Sequence, residues 1–165
     1  IAQWHVVASK LLPLLTTYSD DGPIVYETLR LLTAITMPDV PSAKNPRFHK
    51  FLVDIKCECD SADIVAVLMG FIAAPLAAVG HRRTEEGTKV IELVLCLLRN
   101  LLAVPNPHKD AFPDAWRHAH LQEEFIAKLE EGHVIEMCCR LAQRLQAHEN
   151  TGFSLVLLEV FSFLI

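Results

Sequence analysis

"IELVLCLLRNLLAVPNP", residues 91–107, is the stretch on whose reading the fold turns. Its polar residues ahead of the prolines are Glu92, Arg99 and Asn100, seven and eight positions apart, so they share one narrow stripe of a helix. Everything else up to Val104 is apolar. Such a helix is buried on most sides and shows one strip to solvent or to a partner. Two charges and an asparagine argue against a membrane span. Ile64 to Val79 is the stronger candidate for one, having no charge. It is shorter than the roughly 20 residues a bilayer asks for, and it contains Gly70 and Pro75.

The chain repeats the phrase. "LRLLTAITMP" (29–38) overlays "LCLLRNLLAV" (95–104), placing Leu29, Leu31, Leu32 and Ile35 on Leu95, Leu97, Leu98 and Leu101. The closing "LLEVFSFLI" overlays the same helix through Leu158, Phe161 and Leu164. The two offsets, 66 and 63 residues, are close but unequal. Mostly buried helices that recur between amphipathic ones suit an α-solenoid, in which each unit buries its apolar face on the next. The alternative is a globular bundle of ordinary leucine-rich helices.

Glycine and proline divide the rest. Pro23 stands where a first helical residue belongs, and by Pro38 that helix has ended. Another helix starts at Pro46. Ser61 is the expected N-cap of the next, which closes at Gly80. Thr84 with Glu85 and Glu86 opens the helix that contains 91–104, two acids suiting its positive end. After a proline-rich loop, 105–114, come three more helices, broken at Gly132 and at Asn150–Gly152. No segment alternates with period two. The expected fold is all-α, with roughly eight helices in one domain over 1–165.

The composition is 52% apolar and 7% aromatic, with a formal net charge of −5. A non-specific nucleic-acid binder carries a net basic footprint, so any DNA contact here is a local patch. Five cysteines (Cys57, Cys59, Cys96, Cys138 and Cys139) lack the spacing of a disulfide framework and suit a reducing, intracellular setting. The chain opens at Ile1 without a methionine and closes on an apolar run, which reads as a fragment of a longer protein.

No phosphate loop, nucleophile elbow or zinc-protease helix is present. Cys57-x-Cys59 and Cys138–Cys139 have the wrong spacing for structural zinc, and His118-x-His120 beside Asp114 reads as a solvated or capping pair. The expectation is therefore no catalytic residue, no metal, no cofactor, no small-molecule substrate and no membrane. Two basic runs remain, "KNPRFHK" (44–50) and "HRR" (81–83). Lys44, Arg47, Lys50, Arg82 and Arg83 are the candidate DNA contacts. The plainer reading is solvated helix ends. "EEFIAKLEEGHVIE" (123–136) is acidic; it would repel DNA and suits solvent or a basic protein.

Taken in order, several of these stretches resemble the N-terminal region of the Timeless family of replication-fork protection proteins. They are the Leu-Leu-Pro opening at Leu11–Leu15, the helix ending at Ile35–Pro38, the Arg99–Asn100 pair before Pro105, and the closing "LVLLEVFSFLI". The resemblance spans about 11–107 and 150–165. It implies a right-handed armadillo/HEAT-like α-solenoid, nuclear and non-enzymatic. The expected partners are Tipin and the replicative helicase subunits, near parental duplex DNA, in fork pausing and checkpoint signalling. Insect relatives also serve the circadian clock. The resemblance further implies that the short loop at 105–114 falls where family members commonly carry a longer insertion. Arg99 and Asn100 match the family motif, and their place in a mostly buried helix gives them a structural role. A generic armadillo- or HEAT-type protein-binding adaptor, without nucleic-acid contact, is the alternative.

Overall fold

The computed structural model describes residues 6–37, 45–78 and 80–165, and the side chain of Ser61 is outside the description. Among these residues the fold is all-α, with eight α-helices and no strand. A π-helical turn, Val7–Leu11, runs directly into α1 (Leu12–Thr17). Then follow α2 (Gly22–Thr36), α3 (Pro46–Ser61), α4 (Ile64–Ala77) and α5 (Glu85–Leu102). After the loop come α6 (Leu121–Glu131), α7 (Val134–Gln143) and α8 (Ser154–Ser162). Short 3-10 turns, Gly80–Arg82, Ala115–His118 and His148–Phe153, precede α5, α6 and α8.

The helix starts are chemical. The Asp21 carboxylate accepts the Ile24 amide and leads Pro23 into α2, and Asn45 does the same for α3 through the Arg47 amide. Thr84 caps α5 by accepting the Gly87 amide at 3.0 Å, as its sequence predicts. Ser61 does not begin a helix. It is the last residue of α3, and α4 starts after Asp63, whose φ of +48° turns the chain sharply. His133 makes the same left-handed turn before α7, at φ +58°. At the other end, α4 closes at Ala77, three residues short of Gly80, which takes a φ of +61° in the following turn.

α5 is the spine. It packs on α2 along one side, on α8 along another, and on α4 beneath. Ile91, Val94, Leu95, Leu97, Leu98, Leu101 and Leu102 are all buried as a result. The sequence echo slips at two positions. Leu31, the counterpart of Leu97, is 47% exposed, although α2 packs on α5, on α1 and on the turn before α1. Leu158 is 68% exposed, while Leu157 and Val160 are buried, so α8 sits about one residue out of the register that the overlay suggests. Each turn of a leucine-rich helix buried in this way contributes roughly 1.5–3 kcal/mol per leucine. A smaller apolar cluster, Leu52, Val53, Val104 and Leu121, seals the junction of α3, the loop and α6.

Among the described residues no single helix is long and apolar enough to cross a membrane. α3 and α4 pass that test only as a pair, which is bent by 72° at its break.

Candidate functional site

Several of the polar side chains that join separate helices do so at similar separations along the chain. Arg99 on α5 meets Glu159 on α8 at 2.6 Å. The neighbouring Asn100 turns the opposite way: its amide donates to the Thr33 carbonyl and to Thr36 Oγ1 on α2, both at 3.0 Å. Thr36 passes the bond on to the Leu32 carbonyl at 2.8 Å. Two consecutive residues therefore tie the central helix to both flanking ones. Arg83 Nη1 donates to Asn150 Oδ1 at 2.7 Å, and the Glu149 carboxylate accepts the Gly80 amide at 2.9 Å. Lys128 on α6 reaches Asp60 at the end of α3 at 2.9 Å. Apart from the Thr36–Leu32 bond within α2, these links join residues 60 to 69 apart in sequence, a range that brackets the 63- and 66-residue offsets of the leucine echo.

A second cluster surrounds Lys56, which is fully buried. Its ammonium donates to the Val104 carbonyl at 3.0 Å and to Gln122 Oε1, and lies 5.2 Å from the centre of the Phe125 ring. Gln122 donates in turn to the Leu102 carbonyl, and its own amide is accepted by Asn106 Oδ1. Asn106 also donates to the Glu123 carboxylate, which is held below its usual range chiefly by that bond. An amide from α6 thus satisfies the last carbonyl of α5, and a cation from α3 satisfies the Val104 carbonyl two residues beyond it. Burial lowers the Lys56 pKa to about 8, against partial support from Cys57, Glu123 and Asp60. The sequence holds the signal for this lysine: it lies four residues after Leu52 and three before Cys59, on the buried face of α3.

The four candidate DNA-contact residues that are described, Arg47, Lys50, Arg82 and Arg83, do not gather. Lys44 lies outside the described residues. Arg47 is exposed at the start of α3, and Lys50 pairs with Asp54 at 2.7 Å while lying 5.4 Å from the centre of the Phe112 ring. The intervening His49 ring is 3.4 Å from the Pro105 carbonyl, which sets this group at the C-terminal end of α5. Arg82 is exposed ahead of the N-terminal end of α5. The two groups are therefore separated by the length of that 18-residue helix, about 27 Å. Arg83 is half-buried and acts as a brace, donating to the Pro75 and Ala78 carbonyls as well as to Asn150.

Cys57 Sγ lies 3.2 Å from His118 Nδ1, a cysteine–histidine pair that spacing alone does not reveal. Burial, with Asp54 and Asp60 nearby, pushes the thiol up to about 11, the reverse of an activated nucleophile. Among the described residues no group of three or more His, Cys, Asp or Glu is placed to hold a metal ion.

A family model described as "Timeless protein" matches residues 1–165. The "Protein timeless homolog" of Mus musculus is 31% identical over 112 residues, covering 61% of this chain and 9% of the relative. That of Homo sapiens is 29% identical over 131 residues, covering 71% of this chain and 11% of the relative. The chain spans about a tenth of the length of these curated relatives.

Proposed function

Because the chain belongs to the Timeless family, we propose that it is a helical, non-catalytic scaffold segment of the nuclear replication-fork protection machinery. In this reading its helices form a right-handed armadillo-like solenoid within a longer protein. It supports fork stability, pausing and checkpoint signalling by holding partner proteins, a Tipin-type protein and replicative helicase subunits. The observation that carries the reading is the match over residues 1–165. The series of links at 60–69 residues supports the solenoid part, because a stack of equivalent units makes its contacts at the period of the unit.

Duplex DNA is the further proposed contact. Arg47 and Lys50 at one end of α5 and Arg82 at the other would touch phosphates at two points about 27 Å apart, and Lys44 is the candidate outside the described residues. Such contacts make affinity fall with salt. Neutralising Arg47, Lys50 and Arg82 together is expected to flatten that dependence; unchanged salt-dependent binding would remove these residues from the interface.

The test of the scaffold reading is purification from nuclear extract with the full-length protein as bait and residues 1–165 as a parallel bait. Recovery of Tipin and helicase subunits by the full-length bait is the expected result. Their recovery by 1–165 as well would place the contact on these helices. Their absence from both would leave the generic protein-binding adaptor, for which the exposed Leu155 and Leu158 of α8 speak.

A further inference from the structure

A half-open groove of about 870 Å³ lies between α4, α7 and the turn before α8, apart from the α2–α5–α8 row. Its floor is apolar: Met69 and Leu76 come from α4, Met137 and Leu141 from α7. Methionine side chains repack easily around apolar groups of different shape. Its wall is basic, with Arg83, Arg140 and Arg144. Among the described residues Arg83 donates to neutral acceptors, the Pro75 and Ala78 carbonyls and Asn150, and forms no ion pair, although the Glu149 carboxylate acts on it from farther off. The Arg144 side chain is exposed and has no hydrogen-bonded or ionic partner among the described residues. Arg140 is paired with Glu136 at 2.7 Å, with His133 also 3.6 Å from that carboxylate. Glu149, the other acid in the lining, is occupied by the Gly80 amide. Three guanidinium groups face two carboxylates, so the groove is locally positive in a chain whose formal net charge is −5.

We infer that this groove docks a short acidic, amphipathic peptide segment of a partner protein. The segment's carboxylates meet Arg83 and Arg144, and its apolar side chain rests on the Met69–Met137 floor. Charge complementarity sets the sign of the partner, while the apolar floor supplies the desolvated contact that holds it. Duplex DNA fits less well. Its phosphates carry one charge per roughly 1.7 Å of axis and offer nothing to a methionine floor. The inference goes beyond the scaffold reading and stands apart from any DNA contact elsewhere on the chain.

The test is to pan a phage-displayed random-peptide library on residues 1–165, with counter-selection against Arg144→Glu. That variant changes an exposed side chain that bonds to nothing described, and circular dichroism checks its fold. Arg140→Gln is the second variant. The expected result is enrichment of peptides that combine Asp or Glu with Leu, Ile, Phe or Trp. Measured by fluorescence anisotropy, such a peptide is expected to bind Arg144→Glu at least tenfold more weakly and to weaken as salt rises. Four outcomes would overturn the inference: no enriched peptide, enriched peptides without acidic residues, equal affinity for Arg144→Glu, or displacement by a duplex of about 20 base pairs at concentrations equal to the peptide's.

Discussion

An ammonium group removed from water depends on what replaces its hydration, and Lys56 has two neutral acceptors and an aromatic face. The charged groups around it are Asp60 on its own helix and Glu123 on α6, with the Cys57 thiol adjacent. These offset burial in part, and its pKa still falls to about 8 from 10.5. Between those values the unfolded chain holds the proton more tightly than the folded one, so the Lys56 contribution to stability rises with pH across about 8 to 10.5. Below about pH 8 the full penalty applies, on the order of 3 kcal/mol. Cys57, Cys59 and Cys138 pull the other way, since thiols raised to about 11 or 12 destabilise the fold as pH climbs past the ordinary thiol range. Comparison with Lys56→Met therefore isolates the lysine. Urea unfolding is expected to show the wild type gaining about 1 kcal/mol per pH unit relative to Lys56→Met between pH 8 and 10, and no relative change from pH 6 to 7.5. A flat difference throughout would mean that Lys56 is solvated.

Between elements, Arg99 and Asn100 do unequal work although they are neighbours. The Arg99–Glu159 pair is partly open to water, and a double-mutant cycle to alanine is expected to give a coupling of at most about 1 kcal/mol that shrinks in salt. Asn100 is buried, and Asn100→Ala leaves Thr36 without its donor inside the α2–α5 contact. The expected loss is about 1–3 kcal/mol by chemical denaturation, and it is insensitive to salt. The α6–α7 turn gives a steric test. A β-carbon on Gly132 would lie 2.6 Å from Val65 Cγ1 on α4, although the Gly132 φ of −78° suits any residue. Val65 is buried and stiff at χ1, so it yields poorly. Gly132→Ala is expected to destabilise by about 1–3 kcal/mol. Adding Val65→Ala should recover part of that loss, whereas Gly152→Ala, with open space around it, should change stability little. No recovery would show that backbone conformation, rather than contact with α4, keeps the glycine.

At the scale of the whole molecule, α5 is held from three sides by α2, α4 and α8. Its amides are expected to exchange most slowly in hydrogen-exchange mass spectrometry, with α1 and α8 exchanging faster; equal protection throughout would contradict a central helix. The helical class, the central helix and most breaks were legible in the sequence, because glycine, proline and 3.6-residue periodicity act locally. The Lys56 network was not: its partners come from Val104, Gln122 and Phe125, far along the chain, although Lys56 itself stands visibly on an apolar face. The Ser61 cap failed because Asp63 in a left-handed conformation makes the turn without one, and Leu31 and Leu158 misled because exposure depends on which neighbour a helix has. The Arg140–Arg144 groove needs α4 and α7 side by side, which no single stretch encodes. One consequence concerns chain length. Asn106 accepts the Gln122 amide and donates to Glu123, so both ends of the 106–122 connection are clasped together beneath its exposed tip at His108–Ala111. Extra residues at that tip would leave the clasp undisturbed and cost only loop entropy, about 0.6 kcal/mol for each doubling of the loop. Here the fold has a natural seam, a place where new sequence can be spliced in and acquire its own duties without renegotiating the stack below.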